Sequence, residues 1–320
     1  MRPVVVVDRD IPFLEGVLEP WFDVRRRAGR AIGPADVRDA AALLIRTRTR
    51  CDAALLDGSS VRFIATATIG TDHIDQAFCA AHGITVASAP GCNAAAVAQY
   101  VRVALQTLSL DRPGTTLGVI GVGHVGSLVA EVGRRAGMHV LLSDPPREAA
   151  EGSASFTPLP ELLAVSDVVT LHIPLWPENR DFADAAFFAQ LRPGVSFINA
   201  SRGEVVDEQA LLASRPKLNK LVIDVWKNEP NINLELLASA DIATPHIAGY
   251  SLQGKINGTQ QVVRALGDHF DIAPLRDFTL FGIPLPQAPY DILQDDKALR
   301  SDPTSFESLR SHYSYRNDQL

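Results

Sequence analysis

Three residues suited to proton and charge handling follow closely on apolar runs in the second half of this chain: Arg202 after residues 195–199, Glu229 after 221–225 and His246 after 242–243. A histidine can take a hydroxyl proton while hydride leaves the same carbon, and a carboxylate can hold that histidine in one tautomer. A guanidinium fork suits a substrate carboxylate and polarises a neighbouring carbonyl oxygen. Together the set matches what oxidation of a 2-hydroxy acid needs. Singly, each has a plainer reading: a surface arginine capping the next helix, a solvent-exposed glutamate before a proline, one histidine among 8.

The carrier for the hydride is written in residues 118–144, GVIGVGHVGSLVAEVGRRAGMHVLLSD. An apolar strand runs into Gly121-x-Gly123-x-x-Gly126, then an amphipathic helix, a second strand and Asp144. Gly121 permits the tight turn, Gly123 lets backbone approach a pyrophosphate, and Gly126 allows the helix to pack on the strand. The first amides of the helix, at His124 and Val125, face the phosphates. Asp144 lies 18 residues beyond Gly126, near the spacing at which a carboxylate accepts the adenosine ribose hydroxyls. It would repel a 2′-phosphate, so the cofactor expected is NAD rather than NADP, with Arg147 nearby as the counter-argument.

These residues need a frame, and the chain supplies one of alternating short apolar runs and helical stretches, the signature of a parallel α/β sheet. One set of strands is expected at 4–7, 43–45, 63–65 and 84–86, followed by a helix over 94–108. A second set is expected at 117–120, 139–142, 168–171, 195–199, 221–225 and 242–243. The fold class expected is α/β with two doubly wound, Rossmann-like domains. Residues 1–92 and 252–275 form a discontinuous substrate domain, 93–251 bind NAD, and 276–320 make a short C-terminal module with a helix over 305–319. At 320 residues, 46% hydrophobic and 21% charged, the chain reads as an ordinary globular protein of more than one domain.

A formal charge of −7 and the lack of a basic block exclude a nucleic-acid face, and Arg25, Arg26, Arg27 and Arg30 read as a solvated face or a small anion patch. Cys51, Cys79 and Cys92 have no metal-ligand spacing, so no metal is expected and the thiols read as free. The N-terminal apolar run is too short for a signal core or a membrane span, which leaves the cytoplasm as the expected place.

With its glycine turn followed by arginine, glutamate and histidine in that order, the chain resembles the D-isomer-specific 2-hydroxy acid dehydrogenase family. The stretches ATATIGTDHID, APGCNA, GVIGVGHVG, SDPPR, INASRGEVVD, IDVWKNEP and PHIAGYSLQGK carry the resemblance over most of residues 1–270. It implies catalytic roles for Arg202, Glu229 and His246, NAD contacts at Asp144, Asp224 and Gly249, and substrate contacts at Thr47, Thr68 and Tyr250. APGCNA, DPPR and HIAGY further resemble members that oxidise 4-phospho-D-erythronate on the way to pyridoxal 5′-phosphate, and these members are homodimers. Arg46, Arg48 and Arg50 flank Thr47, where a cation could meet a substrate phosphate. Sister enzymes acting on 3-phosphoglycerate or glycerate share every catalytic residue, and an NAD-sensing corepressor on the same fold is the alternative from another class. Two departures stand out, Ile173 where a threonine is common and Ser201 where a cysteine is common. A third is the C-terminus, which is expected to be compressed and shortened.

Overall fold

A computed structural model describes residues 2–320. The chain divides into two compact units, Met1–Asn93 with Ser251–Leu285, and Ala94–Tyr250 with Pro286–Leu320. Residues after 275 are therefore shared between the units.

The first unit holds five strands: β1 (Val4–Asp8), β2 (Asp23–Arg27), β3 (Ala40–Ile45), β4 (Phe63–Thr66) and β5 (Thr85–Ala87). They pair in parallel in the order β2-β1-β3-β4-β5. Alternate residues feed opposite faces: Val5, Val7, Leu44 and Phe63 pack in one apolar cluster, and Val6, Leu43, Ile45 and Ile64 in the other. Burial on both faces is why these strands read as continuous apolar runs.

The strand β2, sequence DVRRR, breaks that pattern, and the arginine cluster is not merely a solvated face. It pairs along one edge only, with β1, while Arg25 pairs with Asp39 at 2.6 Å, Arg26 with Glu19 at 2.6 Å and Arg27 with Asp36 at 2.8 Å. Charges on an edge strand discourage pairing with another sheet.

The second unit holds β6 (Thr116–Ile120), β7 (His139–Ser143), β8 (Val168–Leu171), β9 (Ser196–Asn199), β10 (Leu221–Ile223) and β11 (Ile242–Ala243), all parallel, in the order β11-β10-β9-β8-β6-β7. The chain runs outward from β6 to β7, then returns to the other side of β6 and continues from β8 to β11. Between β6 and β8 the direction of winding reverses, and such a crevice is where open α/β sheets bind ligands. Helices cover both faces, Ala94–Thr107 and His124–Arg135 on one, Leu159–Val165 and Ala185–Gln190 on the other.

The tail is less helical than its polar sequence suggests: Ile292–Ser301 and Phe306–Ser311 are helices, while 312–320 are not. Ile292, Leu299 and Phe306 are each at most 1% exposed and anchor the tail in the clusters of the second unit.

Candidate active site

At the end of β6 the chain turns through Gly121 at φ +83°, a conformation that favours glycine. A Cβ on Gly121 would stand 2.6 Å from the His172 carbonyl, so the loops after β6 and β8 touch at the switch point. Gly126 is tighter still, its would-be Cβ 1.9 Å from the Gly121 carbonyl oxygen. Around Gly123 a Cβ would meet nothing within 4 Å, leaving open space at the start of a 12-residue helix that begins at His124. Open backbone before free amides at a helix start suits a pyrophosphate.

The two glycines therefore predict different losses. Gly126→Ala drives a methyl into backbone and is expected to destabilise the protein by about 1–3 kcal/mol. Gly123→Ala is expected to keep the melting temperature and yet weaken NADH about tenfold, because only the bound pyrophosphate meets the methyl. Thermal unfolding and NADH fluorescence titration separate the two outcomes.

Asp144 closes β7 and caps the helix Pro145–Glu151, accepting from Arg147 N at 3.1 Å and from Val122 N of the glycine turn at 2.7 Å. Arg147 turns its fork away from a free anion site: Nε and Nη2 meet Glu151 at 2.6 and 2.8 Å, and Nη1 donates to the Val122 carbonyl. A carboxylate at the strand end with the nearby guanidinium committed to Glu151 suits a ribose hydroxyl better than a 2′-phosphate. Ile173 leans its Cγ2 to 2.9 Å from the position a Gly121 Cβ would take, packing apolar carbon where a threonine would present a hydroxyl. His172 behind it is half-buried by solvent exposure but set within the protein, and desolvation pushes its imidazole down to about 3, so it stays neutral.

The loops after β9, β10 and β11 hold the other candidates. Asn199, 1% exposed, braces the first: its Nδ2 donates to the Arg202 carbonyl at 2.9 Å, and its Oδ1 accepts from Ser201 N and Oγ at 3.1 and 2.9 Å. Ser201 thus serves as a small hydrogen-bonding loop residue. Gly203 lets this loop lie on the next one, since a Cβ there would be 2.0 Å from the Trp226 carbonyl carbon. Arg202 is half-buried, with Nη1 donating to the Ser201 carbonyl at 2.8 Å.

Glu229 and His246 meet directly. The His246 Nδ1 lies 2.8 Å from one carboxylate oxygen of Glu229 and 3.0 Å from the other, and Trp226 N donates to the same carboxylate at 3.0 Å. Burial works against the Glu229 charge, but His246, the Arg310 guanidinium and the Trp226 N–H outweigh it and hold the carboxyl below the usual range. His246 itself has φ +56°, a conformation that costs a non-glycine residue about 1–3 kcal/mol and persists where the surroundings impose it.

What imposes it is Asp224, at the end of β10. Its carbonyl accepts His246 N at 2.7 Å, and its carboxylate accepts Thr244 Oγ1 at 2.6 Å, Ile247 N at 2.8 Å and Ala248 N at 3.0 Å. Burial raises its carboxyl above the usual range despite those donors. At 1% exposure, with both oxygens already engaged, Asp224 braces the histidine loop from beneath. Gly249 and Tyr250 follow on the same loop, half-buried, with Tyr250 edge-on to Tyr313 at 5.8 Å.

In the first unit, Thr47 is exposed on the turn after β3, and Thr68 lies just beyond β4, its hydroxyl 2.8 Å from Thr66 Oγ1 and 3.1 Å from the Gly70 carbonyl. Of the arginines beside Thr47, Arg46 donates to the Asp10 carbonyl at 3.1 Å and Arg50 pairs with Asp52 at 2.7 Å. Sequence reasoning missed two residues of the second unit, Arg310 and Arg316. Nothing local in FESLRSHY, which holds Arg310, or in SYRND, which holds Arg316, ties either residue to the strand ends.

A glycine turn at the switch point of a parallel sheet, with a carboxylate–histidine pair on the loops three and four strands away, defines a dinucleotide-dependent dehydrogenase. Residues 93–248 match the NAD binding domain of the D-isomer specific 2-hydroxyacid dehydrogenases. An erythronate-4-phosphate dehydrogenase of Bacteroides fragilis is 44% identical over 98% of this chain and 97% of its own. One from Ectopseudomonas mendocina is 47% identical over 82% of this chain and 71% of its own. Among solved structures, a D-lactate dehydrogenase from Aquifex aeolicus complexed with NAD and lactic acid superposes with a TM-score of 0.72 at 25% identity, covering 88% of this chain and 100% of that one. The chain belongs to the D-isomer specific 2-hydroxyacid dehydrogenase family, within the group whose members are named erythronate-4-phosphate dehydrogenase. It is an NAD-dependent dehydrogenase.

Proposed function

We propose that the chain oxidises 4-phospho-D-erythronate at C2 to 3-hydroxy-2-oxo-4-phosphobutanoate, a step toward pyridoxal 5′-phosphate. The observation that carries this reading is the 2.8 Å pairing of His246 Nδ1 with Glu229 on the sheet that also carries the dinucleotide turn, in a chain 44% identical along nearly its whole length to a relative of that name. Gly121, Gly123, His124, Val125, Gly126, Asp144 and Gly249 would hold NAD, with Asp224 acting from beneath the loop that carries Gly249, and the bound cofactor would supply the hydride acceptor.

The residues of the chain do the rest. Glu229 accepts from Nδ1 and so leaves Nε2 of His246 to take the hydroxyl proton, and the carboxylate then stabilises the imidazolium. Arg202 grips the substrate carboxylate and draws charge onto the developing carbonyl oxygen. Thr47, Thr68 and Tyr250 contact the substrate, with the phosphate met by a cation among Arg46, Arg48 and Arg50. On this reading the first unit carries the substrate side and the second the cofactor.

The chain works as a cytoplasmic homodimer, assembled through residues 276–320. The resemblance supports this, as does Phe281 in that segment, left 85% exposed. The cysteines are free and buried, and no helix among the described residues is long and apolar enough to cross a membrane. Sedimentation at micromolar concentration checks the dimer.

NADH formation with 4-phosphoerythronate compared with 3-phosphoglycerate tests the substrate. The expected outcome is a kcat/KM at least about a hundredfold higher for 4-phosphoerythronate, the discrimination available to a site that pairs substrate polar groups. Equal or better turnover of 3-phosphoglycerate overturns the assignment.

A further inference from the structure

A cation that no strand end supplies stands against the acid–base pair. Arg310, in the helix Phe306–Ser311, places Nη1 3.6 Å from the Glu229 carboxylate and 3.1 Å from that of Glu307, and its side chain is only 14% exposed. Its Nε is buried with no hydrogen-bond partner, so the guanidinium is not held there by saturation of its donors. Burial works against its charge, but Tyr250, Glu229 and Glu307 outweigh that and keep it protonated.

The charged and titratable groups facing the pair come from three places. Asp224 lies at the end of β10, Tyr250 follows His246 on the same loop, and Arg310 and Glu307 come from the C-terminal helix. Arg310 thus brings a permanent positive charge to the carboxylate that pairs with His246.

We propose that Arg310 is a positioning residue for the acid–base pair: its guanidinium, shared between Glu229 and Glu307, keeps the Glu229 carboxylate ionised and aimed at His246 Nδ1. The C-terminal segment thereby sets the pH at which the pair works. This rests on the acid–base roles proposed for Glu229 and His246.

The sign follows from the charges. A cation near Glu229 disfavours its protonation and competes with His246 for its charge, so both effects keep the pair in the form that accepts a proton down to lower pH. Without the cation, protons bind the pair more readily, and oxidation fails at higher pH on the acid side.

The test is the pH profile of kcat/KM for NAD reduction in the full-length enzyme. Arg310→Gln is expected to move the acid limb up by about one pH unit, the lower end of what an opposite charge at this range supplies. Arg310→Lys, which keeps the charge, restores the limb to within a few tenths of a unit. Glu307→Gln frees Arg310 for Glu229 and moves the limb down.

A merely structural arginine would lower kcat at every pH and leave the limb in place. An unmoved limb in both Arg310→Gln and Glu307→Gln overturns the proposal. Should Arg310→Gln fail to fold, judged by circular dichroism, the Glu307→Gln limb decides alone. His246→Ala separates this from failure of the underlying reading: an active His246→Ala enzyme sinks the acid–base roles, whereas an inactive one with unmoved limbs elsewhere sinks only the role of Arg310.

Discussion

Replacing His246 with alanine is expected to lower kcat/KM for NAD-dependent oxidation by about 10²- to 10⁴-fold, the usual contribution of a positioned general base. Nε2 is the atom lost: Nδ1 is committed to Glu229 at 2.8 Å, so no other nitrogen of that ring is free to take the hydroxyl proton. The effect should fall on the chemical step. The histidine loop does not depend on the imidazole for its shape, because Asp224 holds the backbone N–H groups of Ile247 and Ala248 at 2.8 and 3.0 Å. NADH affinity and melting temperature should therefore stay near wild type. Steady-state kinetics beside NADH fluorescence titration reads both, and undiminished turnover in the variant would falsify the proposed mechanism.

Arg316→Ala is expected to be the most damaging substitution outside the catalytic groups. The side chain is 6% exposed, and its guanidinium lies 4.0 Å from the centre of the Tyr290 ring. Nε donates to Gln99 Oε1 at 3.0 Å, Nη1 to the carbonyls of Ile247 and Tyr250 at 3.0 and 3.2 Å, and Nη2 to those of Ala96 and Ala248. Asp224 thus takes the N–H groups of residues 247 and 248 from one side while Arg316 takes their carbonyls from the other.

Deleting the arginine strands several buried carbonyls at once, each worth about 1–3 kcal/mol when left unpaired. A net loss of about 3–5 kcal/mol is expected, in line with breaking a buried charged network. Lysine should rescue little of it, since one ammonium cannot span acceptors spread over the planar fork. Urea unfolding monitored beside kcat checks this, and a midpoint within error of wild type would overturn the clamp.

Much of the frame was legible because both sheets are buried on two faces. Runs such as Val168–Leu171 and Ser196–Asn199 stand out against their surroundings, and the glycine turn marks the strand from which winding reverses. The edge strand β2 was not legible: DVRRR has no apolar pattern, and it is a strand only because β1 offers hydrogen bonds and nearby carboxylates pair its arginines. The candidate site divides the same way. Glu229 and His246 could be picked as residue types after strands, but the brace beneath them could not.

The sequence by itself determined the alternation of strands and helices, the position of the dinucleotide turn and the kinds of chemistry available at three strand ends. Those are properties of short segments, set by periodicity, glycine geometry and side-chain type. Only the tertiary structure decided that Glu229 touches His246, that Asp224 is spent on the histidine loop, and that Arg310 and Arg316 reach the same place from the far end of the chain. The Gln99 amide and the backbone carbonyls that Arg316 meets lie 66 to 220 residues away. No local pattern encodes such pairings, because they exist only after the sheet has closed and the C-terminal segment has packed its apolar residues against it.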